Sequence, residues 1–150
     1  MAAPFPHRYE TSLTWKDGSR GILSSGPRPQ IEGGPPPQFD GAETWWSPEH
    51  LLLASAELCF MTTFLSVARK SKIEPIRYSS RSEGVLEKTP EGLRFTEITL
   101  HVTVAVPAQD ADKTRGLMDL AKKYCIISNS LKRAPTLVAT VEGVPTASAV

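Results

Sequence analysis

One stretch, SPEHLLLASAELCFMTTFLSVARK over residues 47–70, constrains this chain more than any other. Ser47 has the side chain of an N-cap, Pro48 suits the first helical position, and Glu49 in the first turn complements the helix dipole. The pattern predicts a helix from Ser47 to about Lys70. Its apolar residues run all the way round: Leu51, Leu52, Leu53, Ala54, Ala56, Leu58, Phe60, Met61, Phe64, Leu65, Val67 and Ala68 leave no wide polar stripe before the closing ARKSK. Such a helix needs cover on nearly every side. A chain of 150 residues builds one hydrophobic core and has little else to cover it with, so a second subunit is expected to supply the rest.

The flanking sequence supplies the other layers. HRYETSLTWK alternates polar and apolar positions, with Tyr9, Thr11, Leu13 and Trp15 on one side, as a half-buried strand does. DGSRG makes a turn and GILSS a short return strand. GPRPQIEGGPPPQFDGAETWW carries too many prolines and glycines for a regular element in its interior, and the aromatics at its end suit a loop that packs over something. After Pro75, IRYSSRSEGVLEKT and LRFTEITLHVTVAV flank the turn TPEGL and read as a β-hairpin. Phe95, Ile98, Leu100, Val102, Val104 and Val106 are mostly two apart, the spacing of a strand with one face on a core. PAQDADKTRGLMDLAKKYC is expected as a second helix with Leu117, Met118, Leu120 and Ala121 inward. CIISNS either continues it or starts a new turn, TLVATVEGV is a last strand and PTASAV a tail. The order of strands, long helix, hairpin, helix and strand predicts a single α+β domain with its core over about residues 9–141.

Charge and composition narrow the function. With 17 basic and 16 acidic residues scattered along the chain, no field gathers nucleic acid or an anionic membrane. MAAPFPHRYE has no apolar core of the signal-peptide type, and Glu57, Thr62, Thr63 and Ser66 interrupt the long apolar stretch, which argues against a membrane span and for a soluble cytoplasmic protein. His7, His50 and His101 fall on separate elements, so no metal is expected, and no phosphate or dinucleotide fingerprint calls for a cofactor.

Cys59 and Cys125 are the only two cysteines, one in each predicted helix. In a reducing compartment such a pair reads as free thiols or a transient catalytic pair rather than a permanent staple. A cysteine in an apolar helix also serves as a small filler. Cys125, however, lies between Lys122-Lys123 and Ser128-Asn129-Ser130, a polar and partly exposed setting that suits a resolving thiol. Glu49 has an ordinary role in the first turn. Glu57 lies deeper in the apolar helix and is expected at a solvated edge or against a cation.

The spacing of P-E to the first cysteine, here Glu49 to Cys59, together with the run from Cys125 through I-S-N-S to Ser130, resembles the OsmC/Ohr family of thiol-dependent hydroperoxide reductases, over about Tyr9 to Val141. The resemblance implies an intertwined homodimer whose two long central helices are buried between sheets. It makes Cys59 the peroxidatic cysteine, Cys125 the resolving cysteine and Glu49 the carboxylate that holds a catalytic arginine. That arginine belongs to the first hairpin, where WKDGSRG offers Arg20, with Lys16 just before the turn and Arg28 in the next loop. Only a guanidinium has the planar fork that holds a carboxylate and a thiolate together, which favours Arg20. The implied reaction reduces an organic hydroperoxide through a Cys59 sulfenic acid and a Cys59–Cys125 disulfide, which a lipoylated or thioredoxin-like dithiol then reduces. Phe39, Trp45, Trp46, Phe60 and Met61 read either as a pocket for the peroxide's hydrocarbon tail or as interface packing. The competing function is a non-catalytic dimeric module that binds a small apolar ligand.

Overall fold

A computed structural model of the protein describes residues 3–147; residues 1–2 and 148–150, the ends of the two tails, lie outside the described residues. The chain divides into two compact units, Met1–Leu51 and Leu52–Val150, and the division falls within the long helix α1 (Pro48–Lys70).

The first unit is built on an antiparallel sheet in the order β1 (Ser12–Asp17), β2 (Arg20–Ser24), β3 (Ile31–Gly33). The β1–β2 turn places Gly18 at φ +49°, where an L side chain is strained. The register sets Leu13 opposite Leu23 and Trp15 opposite Gly21. Two expectations are corrected here. The segment expected to be pure loop holds a strand, because Ile31-Glu32-Gly33 is its proline-free interior and its N–H groups are free to pair with β2. And β1, expected to be half-buried, is exposed throughout, with Leu13 67% and Trp15 74% exposed. The rest of the loop folds tightly on itself, as its aromatics suggested. A Cβ on Gly41 would lie 1.6 Å from the Pro35 carbonyl oxygen, and one on Gly34 would lie 2.7 Å from the Trp45 ring, so both approaches require glycine. The Gly34 amide donates to the Trp46 carbonyl at 3.0 Å, tying the loop's end to its start.

The second unit continues α1 and adds the hairpin β4 (Arg77–Thr89) and β5 (Gly92–Pro107), helices α2 (Ala111–Tyr124) and α3 (Ile126–Ser130), and β6 (Thr136–Val144). β4 and β5 pair antiparallel and β6 joins β5 in parallel, so α2 and α3 form the crossover that a parallel neighbour requires. Val85 pairs with Glu97 but Leu86 pairs with Phe95, which leaves Thr96 as the extra residue of a bulge. The bulge explains the one break in the alternation, the three-residue step from Phe95 to Ile98. Beyond it Leu100, Val102, Val104 and Val106 point into the core as their spacing predicts.

Ser47 accepts a hydrogen bond from the His50 amide at 3.1 Å on its Oγ, the expected N-cap of α1. The buried residues of α1 are Ala56, Phe60, Phe64 and Ala68, one line at intervals of four, and Phe64 stacks on Tyr78 with ring centroids 5.9 Å apart. By length and composition α1 could cross a membrane, yet Phe60, Phe64 and Ala68 of this line pack with Val102, Val104, Leu117 and Met118 in the core of the unit. Within one chain the remaining faces are half-covered or bare, Leu58 being 60% exposed. In α2 the buried set is Thr114, Leu117, Met118 and Ala121, a clean i, i+3, i+4, i+7 stripe, whereas Leu120 falls off that stripe and is exposed, contrary to expectation.

Candidate active site

α1 and α3 bring the two cysteines together. Cys59 lies on the flank of α1, partly exposed and packed against the core. Cys125 is fully buried at the position just before α3, where it is extended at φ −67°, ψ 107°. Both thiols are free. The Ile127 amide donates to Cys59 Sγ at 3.4 Å, and the Ser128 hydroxyl donates to Cys125 Sγ at 3.1 Å. The first turn of α3 therefore touches both sulfurs.

Their exposures reverse the expectation from sequence. Lys122, Lys123 and Asn129 do face outward, but Cys125 itself points inward among Met118, Ala121 and the β5 valines and is 0% exposed. The break in helical backbone at Cys125 turns its side chain away from its polar neighbours. Burial pushes the Cys125 thiol above its ordinary pKa, the hydroxyl and backbone of Ser128 pull it down, and the adjoining Cys59 pushes it up again. A buried sulfur at Cys125 beside a more accessible one at Cys59 is the resulting arrangement.

Glu57 is partly exposed, as expected of a carboxylate at a solvated edge, and meets no cation among the described residues. Its carboxylate accepts a hydrogen bond from the Ser80 hydroxyl at 2.8 Å, a neutral partner on β4 that no local pattern marks. Tyr78, two residues away on the same strand face, has its hydroxyl pushed well above its ordinary pKa by burial and then by the charge of Glu57.

In the first unit Arg20 is held firmly. Its guanidinium makes a bidentate pair with Asp17 at 2.8 and 2.6 Å, reaches Glu32 at 3.0 Å and lies 5.4 Å over the Trp45 ring. Lys16 shares Glu32 at 3.0 Å, and Arg28 caps its own turn by donating to the Ser25 carbonyl. Sequence reading passed over Asp17 and Glu32. Glu32 sits on the unexpected strand β3, directly opposite Ile22, and that pairing brings it alongside the hairpin. Glu49, at the start of α1, pairs with none of these cations, and its buried Oε2 has no hydrogen-bond partner among the described residues.

Arg20 and Glu49 nonetheless line the same open cavity of about 650 Å³, whose walls are chiefly Leu13, Trp15, Leu23, Phe39 and Trp46. Of the five expected tail-binding residues, Phe39 and Trp46 line that cavity, Trp45 stacks on Arg20, Met61 is half-buried, and Phe60 is locked in the core of the second unit. Among the described residues no three His, Cys, Asp or Glu side chains converge as a metal site would require.

The family model described as OsmC-like protein matches residues 41–140, a span that holds Glu49, Cys59 and Cys125. The chain belongs to the OsmC family. Over 91 residues it is 31% identical to the protein named Peroxiredoxin OsmC in Escherichia coli (strain K12) and in Shigella flexneri, which covers 61% of this chain and 64% of those relatives. The OsmC fold extends further than that match. An OsmC-like protein from Vibrio cholerae superposes with a TM-score of 0.78 at 20% identity, covering 91% of this chain and 99% of that one. An OsmC-like protein from Mycoplasma pneumoniae gives 0.79 at 18% identity over 92% and 99%. An organic hydroperoxide resistance protein from Elizabethkingia anophelis gives 0.73 at 20% identity over 95% and 100%. Arg20 lies outside the span that the OsmC family model matches.

Proposed function

We propose that this OsmC-family protein is a thiol peroxidase that reduces organic hydroperoxides to alcohols. The observation that carries the reading is the pairing of an accessible Cys59 with a buried Cys125 through one turn of α3. The Cys59 thiolate attacks the terminal peroxide oxygen, the O–O bond breaks, and the alkoxide leaves as alcohol after taking a proton, so that sulfur is oxidised to sulfenic acid and the peroxide is reduced. Cys125 then attacks the Cys59 sulfur, water departs, and a disulfide closes. An external dithiol, lipoylated or thioredoxin-like, returns both thiols. In this reading Arg20 is the cation that favours the thiolate and Glu49 the carboxylate that orients it.

The apolar cavity walled by Leu13, Trp15 and Trp46 suits a hydrocarbon tail, since burying that tail releases it from water. We further propose a cytoplasmic homodimer in which a second copy covers the bare faces of α1. An isolated helix with Leu58 so exposed leaves apolar surface that a partner would remove from water.

A second reading has its own support. Arg20 is already satisfied by Asp17 and Glu32, and a cation so engaged suits a non-catalytic module whose cavity takes a small apolar ligand. Counting free thiols after cumene hydroperoxide is added to the reduced protein separates the two. The peroxidase loses two thiols per chain rapidly; retention of both would leave the binding module as the function.

A further inference from the structure

Among the described residues, one polar side chain outside the expected set hydrogen-bonds a cysteine sulfur. Ser128 is 6% exposed, and among the described residues its hydroxyl has a single hydrogen-bond partner, Cys125 Sγ at 3.1 Å. An apolar residue would fill such a site at less cost if packing were all that mattered there, because a buried hydroxyl given only a weak sulfur acceptor is poorly compensated. The acceptor becomes a strong one only when the sulfur is a thiolate.

We infer that Ser128 is a further catalytic residue of the thiol reaction, its hydroxyl holding the Cys125 sulfur as the thiolate that attacks oxidised Cys59. The inference rests on the peroxidase reading above. In the step concerned, the Cys125 proton leaves with the hydroxyl of the Cys59 sulfenic acid as water, the new bond joins the two sulfurs, and no other oxidant or reductant takes part. Ser128 keeps its own proton throughout and acts as a donor.

The surroundings leave this task to Ser128. The titratable groups facing Cys125 are Cys59 from α1 and Tyr78 from β4, and neither is a cation. From α2 and β5 the neighbours are apolar, among them Met118, Ala121 and Val102. Burial raises the Cys125 pKa and a charged Cys59 raises it further; Ser128 works in the opposite direction, chiefly through its hydroxyl and then through its backbone. The Ile127 amide serves the other sulfur, at Cys59.

The test separates the two steps in the full chain. Reduced Ser128→Ala protein is mixed with one equivalent of cumene hydroperoxide, and loss of the Cys59 thiol and closure of the disulfide are timed separately by quenching and mass spectrometry. The first step is expected at the wild-type rate. The second is expected to be roughly tenfold slower at neutral pH, about one pKa unit's worth, and to recover at alkaline pH. Ser128→Thr, which keeps the hydroxyl, restores it. Equal slowing of both steps, or no slowing of the second, overturns the inference. A titration of thiolate absorbance in the Cys59→Ser background, with and without Ser128→Ala, needs no turnover: the Cys125 midpoint must rise by about one unit, and an unchanged midpoint overturns the inference. Should wild-type protein lose no thiols to hydroperoxide, the peroxidase reading fails, while this titration still decides whether Ser128 governs Cys125.

Discussion

Replacing Cys125 by serine divides the proposed cycle at its middle. In the wild type one hydroperoxide consumes two thiols, because the Cys59 sulfenic acid is taken up by a thiol already in contact with it. In Cys125→Ser the same hydroperoxide consumes one. Cys59 is partly exposed, so the unresolved sulfenic acid meets further hydroperoxide and climbs to sulfinic acid, adding about 16 Da at each step. The substitution also has a cost in stability. It places a hydroxyl where a sulfur was fully buried among apolar residues, with Ser128 as its polar contact, and a poorly satisfied buried hydroxyl costs about 1–3 kcal/mol. For a chain of this size each kcal/mol lowers Tm by about 2–4 °C, so the variant remains folded at room temperature and its chemistry can be read. Intact-mass spectra after one and then ten equivalents of cumene hydroperoxide are the assay. The expected result is one oxygen on Cys59 followed by two, with turnover stopped. An unmodified Cys59 in this variant, or continued turnover, would refute the assignment of roles.

The proposed function and the packing of the second unit have other expected outcomes. Arg20→Met is expected to slow oxidation of Cys59, with partial recovery at alkaline pH if the guanidinium acts by stabilising the thiolate, whereas Lys16→Met changes the rate little; stopped-flow rates over a pH series compare the two, and a damaging Lys16→Met would move the role to lysine. Phe64→Ala removes a fully buried ring stacked on Tyr78 and is expected to cost about 3–5 kcal/mol, read from the midpoint of urea unfolding; a loss under about 1 kcal/mol would show that the α1 core line is not packed as described. Leu58→Asp sets a charge on the bare face of α1 and is expected to shift sedimentation from dimer to monomer, while an unchanged dimer would place the interface elsewhere.

The elements were legible where local signals agreed. Ser47, Pro48 and Glu49 marked the start of α1 to the residue, and the alternation from Leu100 to Val106 marked the buried face of β5. Elsewhere the outcome turned on long-range pairing or on a single backbone break. β3 is three residues long and exists because β2 offers it an edge, which no local pattern reveals. The orientation of Cys125 turned on one non-helical residue between α2 and α3, and neighbours at positions 122–130 pointed to the wrong side. Glu57 sits at a partly exposed edge, as a carboxylate in an apolar helix must without a cation, but its hydrogen-bond donor Ser80 comes from a strand whose register depends on the hairpin turn. Asp17 and Glu32 looked like ordinary surface acids until the sheet set them around Arg20.

The parallel placement of β6 carries a last consequence. Because β6 runs alongside β5, the chain between them must cross over, and Cys125 rides on that crossover. Cys59 therefore gains its neighbour only where that crossover has packed against α1 and β5. A chain whose crossover has not yet packed presents Cys59 alone, and oxidation there has no disulfide to end in. Sulfinic acid at Cys59 would then record that a molecule met peroxide while incompletely folded, and a disulfide that it met peroxide when whole.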